Sequence, residues 1–316
     1  MTLQQLQYVV AVAEHGHFGR AAEACHVTQP TLTMGVRKLE DELDVVLFDR
    51  GRHPVRPTED GRRIVEQARV VLRESEGLQD IVRELHGGIA GRYRVGIIPT
   101  LAPYLLPRFL PGFAEAHPEV QLVLDERRTT RILKALKRGT LDVGILVTPV
   151  DAPGLVTIPL FHEPFLAYLP TGHPLAKRRR VRRQDLHDHP LWVLSEGHCF
   201  REQQLSLCDR PSAAGHENLR YESGSIETLM QLVRQGSGMT LVPELSTTPD
   251  DPHVRRFEPP EPVREVSLMV RRSFGRQALV DALSTAIGNA VPKAWRKLHR
   301  EPVPIRPDGL DTGDHG

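Results

Sequence analysis

The sequence predicts an α + α/β protein: a small helical N-terminal domain, a long connecting helix, and a larger α/β domain in two lobes. Three observations lead there. Residues 1–58 hold three short segments of helical apolar periodicity, followed by a stretch punctuated by Gly51 and Pro54. Residues 59–90 repeat an apolar position every seven residues. From residue 91 strand-like and helix-like segments alternate, which predicts parallel sheets with covering helices. The 316 residues suffice for two domains, each with its own core.

Thr2 is placed to cap a first helix with Leu3, Leu6, Val10 and Ala13 at helical spacing. His15-Gly16-His17 breaks it. Phe18, Ala21, Ala22 and Cys25 then lie on one side of a short second helix, where two alanines let another helix approach closely. Cys25 sits among those alanines and reads as a core residue. After a turn at His26-Val27, Thr28 can cap a third helix that tolerates Pro30 in its first turn. Leu32, Val36, Leu39 and Leu43 give that helix a stripe to bury. Beside Thr28 and Pro30, its other side carries Gln29, Thr31, Thr33, Met34, Arg37 and Lys38, groups that reach base edges and phosphates from a major groove. Glu40-Asp41-Glu42 is expected to point away from DNA. Arg50, Arg52 and Arg56 fit a small wing touching the phosphate backbone. Residues 1–58 therefore read as a winged helix-turn-helix. Net charge is only +1, so any nucleic-acid binding belongs to a local surface.

Thr58 can cap the connecting helix of residues 59–90. Ile64, Val71, Leu78 and Leu85, interleaved with Ala68, Ser75 and Val82, form a coiled-coil seam suited to a dimer with two reading heads. Gly87-Gly88 is the hinge. In residues 91–295, strands are expected at 92–98, 120–125, 141–147 and 239–242, and helices at 101–117 and 129–137. Crossings near His162-Glu163-Pro164 and Glu265 divide lobe I (91–163 and 266–295) from lobe II (164–265), leaving a cleft between them. The basic run 177–183 reads as a solvated loop, and residues 296–316 as a disordered tail.

Three cysteines, Cys25, Cys199 and Cys208, do not make a secreted disulfide framework, and they lack the spacing of a zinc site. Residues 1–10 lack the marks of a signal peptide and no apolar run is long enough to span a bilayer, so the cytoplasm is expected. A nucleophile elbow, phosphate loop, dinucleotide fingerprint and His-Glu-x-x-His are all missing, so neither an enzyme nor a cofactor is expected.

The chain resembles the LysR-type transcriptional regulators. The carrying residues are Phe18, Ala21-Ala22, Val27-Thr28-Gln29-Pro30-Thr31-Leu32, Leu39-Glu40, Leu47-Phe48-Asp49-Arg50 and Pro57-Thr58-Glu59-Asp60-Gly61. It looks most like the branch that senses hydrogen peroxide, through Ile98-Pro99-Thr100, Gly197-His198-Cys199-x-Arg201, Cys208 and Glu227-Thr228-Leu229. Residues 127–131 and 209–228 follow that branch less closely, and the tail is longer. The resemblance implies a dimer or tetramer on promoter DNA that contacts RNA polymerase. It also implies an effector domain built like periplasmic binding proteins, and an activator of the oxidative-stress response. By matching position, Cys199 meets peroxide and Cys208 resolves it, with Thr100, Thr129 and His198 around the reacting oxygen. The alternative is a regulator whose cleft takes a small organic effector, its cysteines not sensory.

The residues suit that chemistry. A peroxide needs a thiolate nucleophile, and Cys199 is expected at a helix N-terminus, with His198 and Arg201 adding positive or donating groups. The product is a sulfenic acid that a second thiol converts to a disulfide. Nine residues of helix rise about 13.5 Å, whereas a disulfide needs Cα atoms within roughly 7 Å, so bridging Cys199 and Cys208 must refold the segment between them.

Overall fold

A computed structural model describes residues 1–51, 53–85, 89–208, 212–213, 224–297 and 301–303. The chain forms two compact units, one of Met1–Ala90 with Arg138–Thr140, the other of Gly91–Lys137 and Leu141–Gly316.

In the first unit, α1 (Leu3–His15) starts at Thr2, whose hydroxyl accepts the Gln5 N–H while the Gln5 side chain accepts from the Thr2 N–H. Gly16, with φ +59°, ends it in the left-handed conformation that favours glycine. A cap that the sequence reading passed over starts α2 (Phe18–Ala24): His17 Nδ1 accepts the N–H groups of Gly19 and Arg20. Thr28 caps α3 (Gln29–Leu43) by accepting the Thr31 N–H. The core joins Leu6, Val9, Val12, Ala21, Ala22, Leu32, Val36 and Leu39, and the half-buried Cys25 packs against it.

Two expected stripes shift. Leu3 is exposed and Val10 and Ala13 lie only at the margin, because α1 buries its Leu6–Val9–Val12 side with Gln5 and Tyr8. Tyr8 lies where a Cβ on Gly35 would come within 2.6 Å of its ring, so α1 and α3 meet across a glycine. Leu43 is exposed because the chain reverses at Asp44 (φ +50°), and Leu47 and Phe48 fill the core at that level. A two-stranded antiparallel wing follows, β1 (Phe48–Asp49) and β2 (Arg56–Pro57).

Helix α4 (Glu59–Leu85) begins at Thr58, which accepts the Gly61 N–H at 2.9 Å and donates to the Val46 carbonyl at 2.8 Å. Of the expected seam, Ala68 is buried in this unit's own core, with Ile64 and Val71 leaning on it. Ser75 is half-buried and Leu78 is exposed, while the side chains of Val82 and Leu85 lie outside the described residues. The near half of the helix is thus spent on its own domain.

The second unit runs β3 (Gly91–Ile97), α5 (Ala102–Ala116), β4 (Val120–Glu126), α6 (Thr129–Lys137), β5 (Val143–Thr148), β6 (Leu155–Tyr168), β7 (Arg180–Val181) and β8 (Pro190–Trp192). It continues through α7 (Cys199–Leu207), β9 (Ser212–Ala213), α8 (Ile226–Arg234), β10 (Met239–Pro243), β11 (Val254–Phe257), β12 (Val263–Arg271) and α9 (Gln277–Asn289). The sheet order is β4-β3-β5-β12-β6-β10-β8-β9, with β11 between β6 and β7. β3 pairs parallel with β4 and β5, as alternation predicts. The long strands β6 and β12 are antiparallel instead, since they carry the chain between lobes. Residues 155–164 of β6 pair with β12, and residues 165–168 pair with β10 and β11, so the strand changes sheets at Pro164.

Two expectations are corrected here. The run 177–183 is largely solvated, as expected, but it is not all loop. β7 within it pairs with β11, and Arg178, Arg180 and Arg182 pair with Asp185, Glu261 and Glu258. The tail does not leave the fold at residue 296 either: Val303 is buried in the lobe II core. Residues 298–300 and 304–316 lie outside the described residues.

Candidate functional sites

Two regions carry chemistry. On α3, Thr28, Gln29, Pro30, Thr31, Met34, Arg37 and Lys38 are exposed and Thr33 is half-buried. They form one polar face opposite the buried Leu32–Val36–Leu39 stripe. The Thr28 and Thr31 hydroxyls share a hydrogen bond at 2.8 Å, so the cap fixes how Thr31 is presented. Arg56 is exposed on the wing, and Arg52 lies outside the described residues. Arg50, expected on the wing, has a partner within its own domain. Its guanidinium pairs with Glu40 at 2.5 Å and covers the Phe18 ring. Glu40 also accepts the Leu47 N–H at 2.8 Å. The Glu40–Arg50 pair ties the recognition helix to the wing.

The second region lies where both lobes meet the crossing strands. Gly197 (φ +82°) turns the chain into α7, and Cys199 is its first residue. Its side chain is 4% exposed. Thr129, the first residue of α6, is buried beside it, and among the described residues no other group hydrogen-bonds its hydroxyl. Behind them Arg264, fully buried, donates to the Thr100 hydroxyl at 3.3 Å and carbonyl at 3.2 Å, and meets Glu163 at 2.7 Å. Glu163 also accepts the Leu245 N–H at 2.8 Å. Arg264 lies 5.3 Å above the Phe200 ring, which stacks on Phe165. The fold thus brings Thr100, Thr129 and Cys199 to one interior site around Arg264.

The electrostatics differ from the sequence expectation. Burial pushes the Cys199 thiol up from its ordinary value. The Thr129 hydroxyl, the Arg264 charge and the N–H groups of Phe200 and Cys199 pull the other way without overcoming it. His198 adds no positive charge, because burial and the neighbouring Arg128 hold its pKa below the ordinary imidazole value. Arg201 is turned away to donate to the Leu194 carbonyl at 2.8 Å. The cation that acts on the sulfur is Arg264, far along the chain. The signal for it was present: two strands crossing at Glu163 and near Glu265 set Arg264 opposite Glu163 in register.

Cys208 ends α7, its N–H bonded to the Gln204 carbonyl at 3.2 Å, and lies in the lobe II core. All three cysteines are thiols. Helix α7 is held by polar anchors as much as by apolar ones. The buried Gln204 accepts the Leu194 N–H at 3.1 Å and donates to the Leu241 carbonyl at 3.1 Å. Above the site, Tyr104 of α5 donates to Glu227 of α8 at 3.0 Å and links the lobes.

Residues 3–62 match the bacterial regulatory helix-turn-helix protein, lysR family, and residues 86–291 match the LysR substrate binding domain. The chain is 39% identical over 304 residues to the hydrogen peroxide-inducible genes activator of Dickeya chrysanthemi, covering 94% of this chain and 98% of that protein. It is 37% identical over 311 residues to the DNA-binding transcriptional dual regulator OxyR of Escherichia coli K12, covering 96% and 100%. Among solved structures it is similar to a full-length Pseudomonas aeruginosa OxyR with a cysteine-to-aspartate substitution, at TM-score 0.73 and 37% identity over 91% of this chain and 98% of that one. A Corynebacterium glutamicum OxyR cysteine variant with H2O2 bound matches at TM-score 0.61 and 32% identity over 92% of each chain.

Proposed function

The chain belongs to the LysR family of bacterial helix-turn-helix regulators, and from that premise we propose that it regulates transcription in response to hydrogen peroxide, with Cys199 as the reacting thiol and Cys208 as the resolving one. The observation that carries this reading is the buried Cys199 at the start of α7, among Thr129, the Arg264 charge and two backbone N–H groups. Relatives covering nearly the whole chain are named for peroxide induction.

In this reading peroxide enters the interior site with the Thr129 hydroxyl as one partner, and Thr100 beside it positioned by Arg264. The Cys199 thiolate attacks one oxygen; an S–O bond forms, the O–O bond breaks, and hydroxide leaves, taking a proton to become water. Cys208 then displaces the sulfenic hydroxyl, forming the S–S bond and releasing a second water. Two thiols are oxidised by two electrons and one peroxide is reduced. The raised thiol keeps Cys199 protonated at rest, while the groups around it stabilise the thiolate once its proton leaves. Spanning the nine positions requires α7 to unwind, and its polar anchors exchange readily for water. That refolding alters the lobe II surface and, through it, how the protein acts on DNA. The regulator works as a dimer or tetramer on promoter DNA, contacts RNA polymerase, resides in the cytoplasm and turns over no substrate. No helix of the described residues is long and apolar enough to cross a membrane.

The test is intact-mass measurement after a slight excess of peroxide, with thiols blocked before digestion. A loss of two mass units that maps to Cys199–Cys208 and disappears in Cys199→Ser is expected. Both thiols surviving, with an unchanged DNA footprint, would overturn peroxide sensing and leave a cleft that takes a small organic effector.

A further inference from the structure

The chain returns after α9 to touch the helix that carries both cysteines. Val303 is 3% exposed and packs in the lobe II core that also contains Leu207 and Cys208. Both of its backbone groups are used. Its N–H donates to the carbonyl of Val263 at 2.8 Å, and its carbonyl accepts from Gln203 Nε2 at 3.0 Å. Val263 opens β12 and directly precedes Arg264. Gln203 is fully buried in the middle of α7, four positions after Cys199 and five before Cys208. A single residue from the end of the chain therefore brackets the cysteine helix to the strand that carries the site's arginine.

We propose that residues 301–303 are a redox-released strap: with both thiols reduced they brace α7 against β12, and closing a Cys199–Cys208 bond pulls Gln203 off Val303 and frees the C-terminal segment. The inference rests on the disulfide reading above. Its physical reason is the position of Gln203. Drawing together cysteines about 13.5 Å apart along a helix cannot leave the residue midway between them in place. A buried glutamine donor is also a geometrically exacting tether, since its hydrogen bond fails once the backbone rotates or shifts by an ångström or so. The strap consequently resists oxidation while intact and, once free, takes Val303 out of the lobe II core.

The experiment is hydrogen–deuterium exchange on the full chain in both redox states, with disulfide content read from intact mass. The Val303 amide is expected to exchange slowly in the dithiol protein and at least tenfold faster in the disulfide form, with no change in peroxide-treated Cys199→Ser. A chain ending at Arg300 is expected to exchange the Cys208 amide faster while still reduced. Losing the one hydrogen bond by which α7 holds the strap, that of Gln203, should also make it form the disulfide about fivefold faster. Should that truncation fail to fold, Val303→Pro removes the N–H that bonds Val263 together with the valine's packing in the lobe II core, and should act in the same direction. Equal Val303 exchange in two states of confirmed disulfide content overturns the strap while leaving peroxide sensing intact. Absence of any disulfide overturns the sensing reading and strap release together. Unchanged Cys208 exchange in the truncated dithiol protein overturns the bracing of α7 whichever way the oxidation turns out.

Discussion

Arg264 meets Glu163 at 2.7 Å with neither side chain reaching solvent, and the same guanidinium holds both oxygens of Thr100. A buried pair of this kind costs desolvation, and removing one partner strands a charge. Arg264→Met and Glu163→Leu alone should each lower unfolding free energy by about 3–5 kcal/mol, and the double variant should recover most of the loss. Urea midpoints at neutral pH check this. A double-variant loss equal to the sum of the two single losses would mean that the residues act independently. Arg264→Met should also push the Cys199 thiol further up, slowing its alkylation.

The raised Cys199 thiol has a pH signature. The folded protein holds this proton more tightly than the unfolded chain, so the associated stability is present at low pH. It is lost as pH rises above about 8.5, where an unfolded thiol ionises. Stability should fall between pH 8.5 and 10, less steeply in Cys199→Ser. The thiol of Cys25 is raised too, by burial, and accounts for part of the remaining slope.

His198 behaves oppositely. Its folded pKa is lowered, so the stability it contributes is present above about 6.5 and is lost as pH falls through and below that value, where the unfolded chain takes up the proton. NMR titration should place its midpoint below 6.5. Arg128→Gln should raise that midpoint, and a midpoint insensitive to Arg128 would leave burial as the whole cause.

Arg37→Ala or Lys38→Ala should weaken operator binding and reduce the salt-dependence slope by about one. Arg50→Ala should weaken binding through the wing instead. Because Arg50 and Glu40 form one contact, Glu40→Gln should weaken binding similarly and the double variant little more. Additive effects in fluorescence anisotropy would show that Arg50 reaches the phosphates independently.

Removing the α3 cap by Thr28→Ala should cost about 1 kcal/mol of stability, and it also frees the Thr31 hydroxyl. Thermal unfolding of the variant measures the first effect and operator affinity the second.

Local signals were readable along the chain. Thr2, Thr28 and Thr58 act as caps within their own segments, and Gly16 ends α1 where a left-handed residue is needed. The Leu32–Val36–Leu39 stripe and the spans of α6 and β4 follow from periodicity. Leu43 escaped because burial depends on where the chain turns next, which periodicity does not encode.

By itself the sequence determined the two-part architecture, the exposed polar face of α3 and the position of Cys199 at a helix start, since each depends on residues within a turn or two of one another. Tertiary structure alone decided the charge around the sulfur. Arg201, two residues away, points to a carbonyl, while Arg264, sixty-five residues away, lies behind Thr100 because two crossing strands pair in register. It alone decided that Cys199 is raised and His198 neutral, because desolvation depends on what covers a group. It also decided that Val303 grips α7. A hydrogen bond between positions a hundred residues apart leaves no periodic trace in the chain that makes it.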